Sequence, residues 1–358
     1  MKKTIAMLLA LVMIFALAAC GQSAAPAPAP AEKPAEAAPA EAVPAAEAEP
    51  AGPALKDKYT IGFSKMYGTD IYIMCIEDGL KDQAKVWEEK LGVEIEIVSV
   101  DAGNDDPTQQ QADLEDLAVM GVDGVVIFPG DSDLIVTPIK ELYNANNIPV
   151  VITDVGVSGG ELLSYIVTSQ YEFGCDSGQM LVDAMTEAGT VDGGKVVGIQ
   201  THPANASAVA RVDGFMDVCA AAGCEVLETK IPESATVDAC YKVTEDLLTS
   251  DPDLAGIFTV NNIAVVGIAM ALKDHNRPDV KLVGNDGSAA MYDLILDGTY
   301  CYGSAMQQPY LYGTLAMDQL MYYFTGETDK IQAEINPEAI LVTKANIEQY
   351  KDNPLFAG

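Results

Sequence analysis

The chain has 358 residues, with 53 Asp plus Glu against 20 Lys plus Arg and a formal net charge of -33. A polymer this acidic repels phosphate backbones and anionic headgroups, which argues against nucleic-acid binding and leaves any membrane attachment to something other than charge. Apolar residues make up 49% and charged residues 20%, proportions that fit a soluble folded core and exclude a disordered chain.

The N-terminus reads as an export signal over residues 1–19. "MKK" supplies the positive start, and "TIAMLLALVMIFALAA" is an apolar stretch too short for a comfortable membrane span. Residues 17–20, "LAAC", resemble a bacterial lipobox. That resemblance implies a lipid on Cys20 and anchorage to the outer face of the cell membrane through that lipid alone. Residues 20–55 then form a linker, in which 21 to about 54 hold only Ala, Pro, Glu, Gly and a few other polar residues with one aliphatic Val43. It is too poor in apolar surface to offset its chain entropy, and proline stiffens it into a spacer. The folded part starts near Lys56 and has about 300 residues, enough for two lobes.

From there, short β-branched runs alternate with longer amphipathic ones. Strands are expected at "YTIGFS" (59–64), "VEIEIVSV" (93–100), "GVVIF" (124–128), "PVVIT" (149–153) and "YIVTS" (165–169). Five more are expected at "KVVGIQ" (195–200), "CEVLETK" (224–230), "AGIFTV" (255–260), "VKLVG" (280–284) and "YCYGSAM" (300–306). Helices fall between most of them; in "DPTQQQADLEDLAVMG", Asp106 is the expected N-cap and Pro107 takes the first helical position. This alternation predicts an α/β fold of parallel sheets covered by helices on both faces. The stretches "LAVMGVDGVVIFPGDSD" and "LLTSDPDLAGIFTVNN" repeat one order of helix end, turn, apolar strand and polar cluster, so two similar lobes are expected.

Ligands of open α/β sheets bind beyond the carboxyl ends of the strands, and the polar residues gather there. Asp70, Tyr72 and Ile73 open the helix after the first strand. Asp154 and Val155 follow the fourth, and Arg211, one of only two arginines with Arg277, sits early in the helix after "KVVGIQ". Asn261 and Asn262 end "AGIFTV", Asp286 follows the strand at 280–284, and Gln307, Gln308 and Pro309 follow the last. Several have a second job open to them. Asp70 or Thr69 could cap the next helix, a role compatible with ligand contact. Tyr72 could serve packing alone, Asp154 an ordinary loop, Arg211 a helix surface, and Gln307 or Gln308 a solvated hinge. Asn262 stands better placed than Asn261 as a cap. Ser288 is a good N-cap for "AAMYDLIL", which frees Asp286, and Gly287 supplies the backbone freedom to aim it.

Six cysteines follow Cys20, none with Cys-x-x-Cys spacing, and His202 and His275 lie far apart, so neither a metal nor a cofactor is expected. The cysteines read as buried small side chains, and a bridge between Cys219 and Cys224 is permitted but not demanded. Walker A, H-E-x-x-H and helix-opening G-x-G-x-x-G motifs are missing, and "GVSGGE" (156–161) lies in a loop without a phosphate signature.

The stretches "DIYIMCIEDGLKDQA", "LAVMGVDGVVIFPGDSD", "NNIPVVITD", "ARVDGF", "DPDLAGIFTVNN", "LVGNDG" and "AMQQP" occur in the order and spacing of one family. From about residue 57 to 345 the chain resembles the periplasmic sugar-binding proteins of the ribose/galactose type, solute receptors of ATP-binding-cassette importers. The resemblance implies a type I periplasmic binding protein fold, two Rossmann-like lobes joined by a three-strand hinge. The N-terminal lobe would take 56–168 plus about 308–336, and the C-terminal lobe 169–307 plus about 337–358. It also implies ligand contacts from Asp70, Tyr72, Asp154, Arg211, Asn261, Asp286 and Gln307, no catalytic residue, and a monomer that hands a sugar or polyol to a membrane permease. Sugar hydroxyls donate and accept at once, so carboxylates, an arginine and amides suit them, and an aromatic such as Tyr72 covers a ring face. Two departures stand out. Val155 occupies the place where ribose binders often carry a second arginine, and Ile73 a place where an aromatic is common. Three carboxylates against Arg211 alone disfavour anionic ligands and leave a neutral sugar, a polyol or an amino sugar. The rival outputs are delivery to a sensor kinase or chemoreceptor and, more remotely, glycan hydrolysis by paired carboxylates.

Overall fold

The computed structural model describes residues 55–103, 106–201 and 205–357, so the export signal, Cys20 and nearly all of the linker lie outside the described residues. The chain first runs through β1 (Lys58–Lys65), α1 (Ile71–Leu91), β2 (Glu94–Asp101), α2 (Pro107–Met120) and β3 (Gly124–Phe128). A short α3 (Val136–Pro138), β4 (Val150–Thr153) and β5 (Ser164–Ile166) follow. Next come α4 (Gln170–Ala188), β6 (Lys195–Ile199), α5 (Ala206–Ala221), β7 (Glu225–Val226), α6 (Val237–Ser250) and β8 (Leu254–Thr259). After α7 (Asn262–Asp274), β9 (Lys281–Asn285), α8 (Ala289–Asp297) and β10 (Gly303–Met306), the chain ends with α9 (Pro309–Thr325), β11 (Glu334–Ile335), β12 (Ile340–Thr343) and α10 (Pro354–Ala357).

Two six-stranded sheets result, ordered β11-β5-β4-β3-β1-β2 and β12-β10-β9-β8-β6-β7. Both faces of each are covered, which is why the strands read as unbroken apolar runs. In the first sheet Ile61, Phe63, Val126 and Val151 pack on one face, while Val125, Ile127, Val150 and Ile152 pack on the other. In the second, Val197, Ile257 and Leu282 oppose Val196, Phe258 and Val283. Asp106 caps α2 as expected, its carboxylate accepting from the amides of Thr108 and Gln109, with Pro107 in the first turn.

The sequence reading needs four corrections. Of "CEVLETK" only Glu225 and Val226 form a strand, paired with β6 alone; beyond them the ladder is broken until an isolated bridge joins Lys230 to Ile199. "YIVTS" and "YCYGSAM" shorten to β5 and β10, since their remaining residues serve connections. β11 and β12 were not foreseen; with two and four residues they carry almost no periodic signal. The second sheet is not wholly parallel, for β12 runs antiparallel to β10. The reason is the path of the chain. β11 pairs in parallel with β5, and only residues 336–339 separate it from β12. A segment leaving one sheet at its carboxyl edge and entering the other so directly arrives at that sheet's carboxyl edge too, and runs against its strands.

Three connections join the sheets: β5 to α4, β10 to α9, and β11 to β12. The helix pairs flanking them are built alike. A side chain on Gly313 of α9 would strike the backbone carbonyl of Ile76 in α1, and one on Gly79 of α1 would strike that of Tyr310. In the other half a side chain on Gly174 of α4 would strike the Arg211 carbonyl of α5, and one on Gly214 the Tyr171 carbonyl. Only glycine permits backbones to approach this closely. "RVDGF" therefore has a packing explanation: Gly214 admits α4, Phe215 stacks on Phe258 with ring centroids 4.7 Å apart, and Arg211 is left at the cleft.

Candidate functional site

Between the carboxyl ends of the two sheets lie two cavities of about 850 and 330 Å³, in the range of small-molecule sites. Arg211 and Asn261 line the larger and Asp70 and Tyr72 the smaller; Asp154, Asp286 and Gln307 line both. The seven residues expected from sequence thus fall around two cavities that share three of them.

Asp154 and Asp286 occupy equivalent places in the two sheets. Asp154 follows β4 and Asp286 follows β9, and both have a left-handed backbone, φ 64° and 67°. The Asp154 amide donates to Ile166 O of β5 at 2.8 Å, and the Asp286 amide to Ala305 O of β10 at 2.8 Å. Even the carbonyls match, Asp154 O accepting from Tyr165 Oη at 2.9 Å and Asp286 O from Ser304 Oγ at 2.7 Å. Aspartate is among the few non-glycine residues that adopt this conformation readily. The turn points each carboxylate beyond its sheet. Here the sequence reading is corrected: Asp286 itself, not Gly287, takes the left-handed conformation, and Gly287 lies against Leu355 and Phe356. Ser288 is the N-cap of α8, accepting from the Met291 amide at 3.3 Å, so Asp286 is free of that task.

Arg211 is held from three sides. Nε donates to Gln170 Oε1 at 2.7 Å, Nη1 donates to Val260 O at 2.8 Å, and the guanidinium lies 4.8 Å from the Phe173 ring centroid. Its Nη1 stands 3.6 Å from Asp286 Oδ2. Gln170 and Phe173, which fix it, gave no signal in the sequence beyond their place in a helical run. Asp70 does cap α1: Oδ1 accepts from the amides of Tyr72 and Ile73 at 2.8 and 3.3 Å. Asn261, not Asn262, caps α7, accepting from the Ala264 amide at 3.1 Å and donating to Thr201 Oγ1 at 2.6 Å. Asn262 already lies inside the helix and donates to Gly287 O instead, which corrects the cap expected from sequence.

Tyr72 Oη lies 3.2 Å from both Asp154 Oδ1 and Gln307 Oε1, and its ring stands edge-on to Phe128 and Tyr312. Burial pushes the Asp154 carboxyl up to about 6; Asp286 and Asp70 add to the rise, while the Tyr72 hydrogen bond and Arg211 oppose it. Burial, with the Asp154 charge behind it, also raises the Tyr72 phenol, which stays a donor at neutral pH.

Residues 156–160, "GVSGG", have the spacing of the G-x-S-x-G pattern of hydrolase nucleophiles, which the sequence reading did not pick out. Their surroundings do not match it: Ser158 Oγ donates to Ser132 O at 3.3 Å, and the segment is a loop leading to β5 with no helix behind it. The cysteines Cys75, Cys175, Cys219, Cys224, Cys240 and Cys301 are free, Cys219 and Cys224 included.

Two α/β halves with a polar cleft between their strand ends have the architecture of a receptor for a small solute. The model of the periplasmic binding protein domain matches residues 61–328, and the chain belongs to that family of binding proteins rather than to any class of enzyme. It is 29% identical over 265 residues to the ribose import binding protein RbsB of Escherichia coli, covering 74% of this chain and 85% of that protein. With the D-apiose import binding protein of Paraburkholderia graminis it shares 28% identity over 247 residues, 68% of this chain and 76% of the other. The fold matches the solved periplasmic ribose ABC transporter protein of Conexibacter woesei with a TM-score of 0.72 at 20% identity, over 84% of this chain and 97% of that one.

Proposed function

We propose that the protein is a lipid-tethered extracytoplasmic receptor that captures a small neutral sugar or polyol in the cleft and delivers it to the permease of an ATP-binding-cassette importer. The carrying observation is the pair Asp154 and Asp286, one from each sheet, turned into one cavity by matching left-handed turns with Arg211 as the cation beside them. Carboxylates accept from sugar hydroxyls, Arg211 donates, Asn261 and Gln307 do either, and Tyr72 offers a ring face. Relatives named for ribose and apiose import support the sugar class. Val155, in place of a second arginine, argues against ribose as the preferred ligand.

The lobes, 56–168 plus about 308–336 and 169–307 plus about 337–358, act as two bodies, and ligand bridging the two aspartates favours the closed arrangement by population shift. The receptor works as a monomer, held to the membrane only by the lipid on Cys20.

A thermal-shift screen of the full chain against pentoses, hexoses, polyols and amino sugars tests this reading. At a thousandfold over the dissociation constant, a true ligand adds roughly 4 kcal/mol of stability. If no polyhydroxyl compound moves the melting temperature, the proposal fails.

A further inference from the structure

We propose that Tyr312 is a positioning residue that ties the three connections between the lobes to one another and to the ligand cleft. It lies on α9 with its side chain fully buried, outside the lining of both cavities. Its hydroxyl accepts from the Thr168 amide at 2.7 Å and lies 2.6 Å from Thr168 Oγ1 and 3.3 Å from Gln307 Oε1. Thr168 Oγ1 in turn donates to Pro337 O at 3.2 Å. Thr168 belongs to the first connection, Gln307 to the second and Pro337 to the third. One buried phenol thus joins all three, and Gln307 carries the chain on to Tyr72 and Asp154.

The proton count gives the network two arrangements. Tyr72 has one hydroxyl proton and two acceptors, Asp154 and Gln307, at equal distance. When Tyr72 donates to Asp154, Gln307 Oε1 is served by Tyr312. When Asp154 instead accepts from a bound hydroxyl, the Tyr72 proton turns to Gln307 and the Tyr312 proton to Thr168 Oγ1. The 2.6 Å contact between Tyr312 Oη and Thr168 Oγ1 needs a proton between the two oxygens in either arrangement, so in the first Thr168 donates to Tyr312 and in the second, receiving from Tyr312, it donates to Pro337 O. Occupation of Asp154 is thereby felt at each connection as a change of partner, with no charge moved through the hinge.

The cleft half of this inference rests on the sugar-receptor reading; the hinge half does not. Tyr312→Phe keeps the ring and removes the hydroxyl. In the full chain without ligand, hydrogen exchange read by mass spectrometry should rise about fivefold to tenfold in peptides spanning Thr168, Gln307 and residues 336–339 together, while the sheet cores stay protected. A rise confined to Thr168, or spread over the whole fold, overturns the tie. For the cleft half, Tyr72→Phe, Tyr312→Phe and the double variant are titrated with D-ribose, D-apiose, D-xylose and L-arabinose. Each single variant should weaken binding several-fold, and the double should lose little more than the worse single. Additive losses overturn the relay. If the unaltered protein binds none of these four or the compounds of the wider screen, the receptor reading fails, and the exchange experiment still decides the hinge.

Discussion

Acidification from pH 7.5 to pH 5 should weaken ligand binding about tenfold through one carboxylate. Asp154 is held at about 6, chiefly by burial. A ligand hydroxyl that donates to it needs the ionised form, so binding draws the group toward ionisation and is strongest above that value. With a free-protein value near 6, the ionised fraction is about 0.97 at pH 7.5 and about 0.09 at pH 5, a ratio of roughly ten. The fold itself responds in the opposite sense. A carboxyl raised above its unfolded value binds its proton earlier in the native state, so this group makes the ligand-free protein more stable as pH falls from 6 toward 4. Affinity should drop while the ligand-free melting temperature does not drop on this group's account, which separates the effect from acid unfolding. Isothermal titration from pH 5 to 8 at fixed ionic strength measures it, with Asp154→Asn as control. Asparagine tolerates the left-handed backbone and cannot ionise, so its weaker binding should vary little over the range. An unsloped profile in the unaltered protein, or an equal slope in Asp154→Asn, would refute the reasoning.

Asp286→Ala should abolish the ligand-induced thermal shift, with a backbone cost of roughly 1–2 kcal/mol because alanine fits φ 67° poorly; Asp286→Asn should lose the shift at little such cost, and an unfolded Asn variant by circular dichroism would mark a structural role. Gly174→Ala places a methyl against the Arg211 carbonyl, so urea melts should show a loss of about 2 kcal/mol or more together with weaker binding as α5 and its guanidinium shift. Gly313→Ala, at the matching contact with Ile76, should show the stability loss with a smaller effect on binding.

What the sequence made legible follows physical lines. β3, buried at every position, reads as a strand because both faces are covered, and its bounds at 124–128 agree in sequence and structure. β11 and β12 do not, since short segments at sheet edges are specified by the connection between lobes rather than by their own pattern. The seven candidate contacts were visible as polar residues at strand ends. What fixes them was not: Gln170 and Phe173 hold Arg211 from a helix 41 and 38 positions away, and no local rule announces such partners. The cap of α7 went to Asn261 rather than Asn262 because a cap is decided by which residue leaves the strand extended, and neighbouring asparagines offer the same side chain.

The matched turns at Asp154 and Asp286 bear on how closure is driven. Each sheet presents its carboxylate through the same backbone construction, with the same 2.8 Å amide bond to the neighbouring strand. Neither carboxylate has to move relative to its own lobe to meet a ligand, so the entropy of arranging them is met on folding rather than on binding. On the proposed two-lobe reading, what remains free is the relation between lobes, set by the three connections. A ligand that touches only one aspartate gains equal contacts in open and closed forms and shifts nothing; one long enough to engage both gains the second set only on closure. Selectivity in such a cleft is then a matter of span as much as of hydroxyl chemistry. Val155 sharpens this: without a second guanidinium beside Asp154, that carboxylate finds its donors in the ligand itself, in Tyr72 or in Arg211, and of these two side chains only Arg211 comes from the half built on the other sheet.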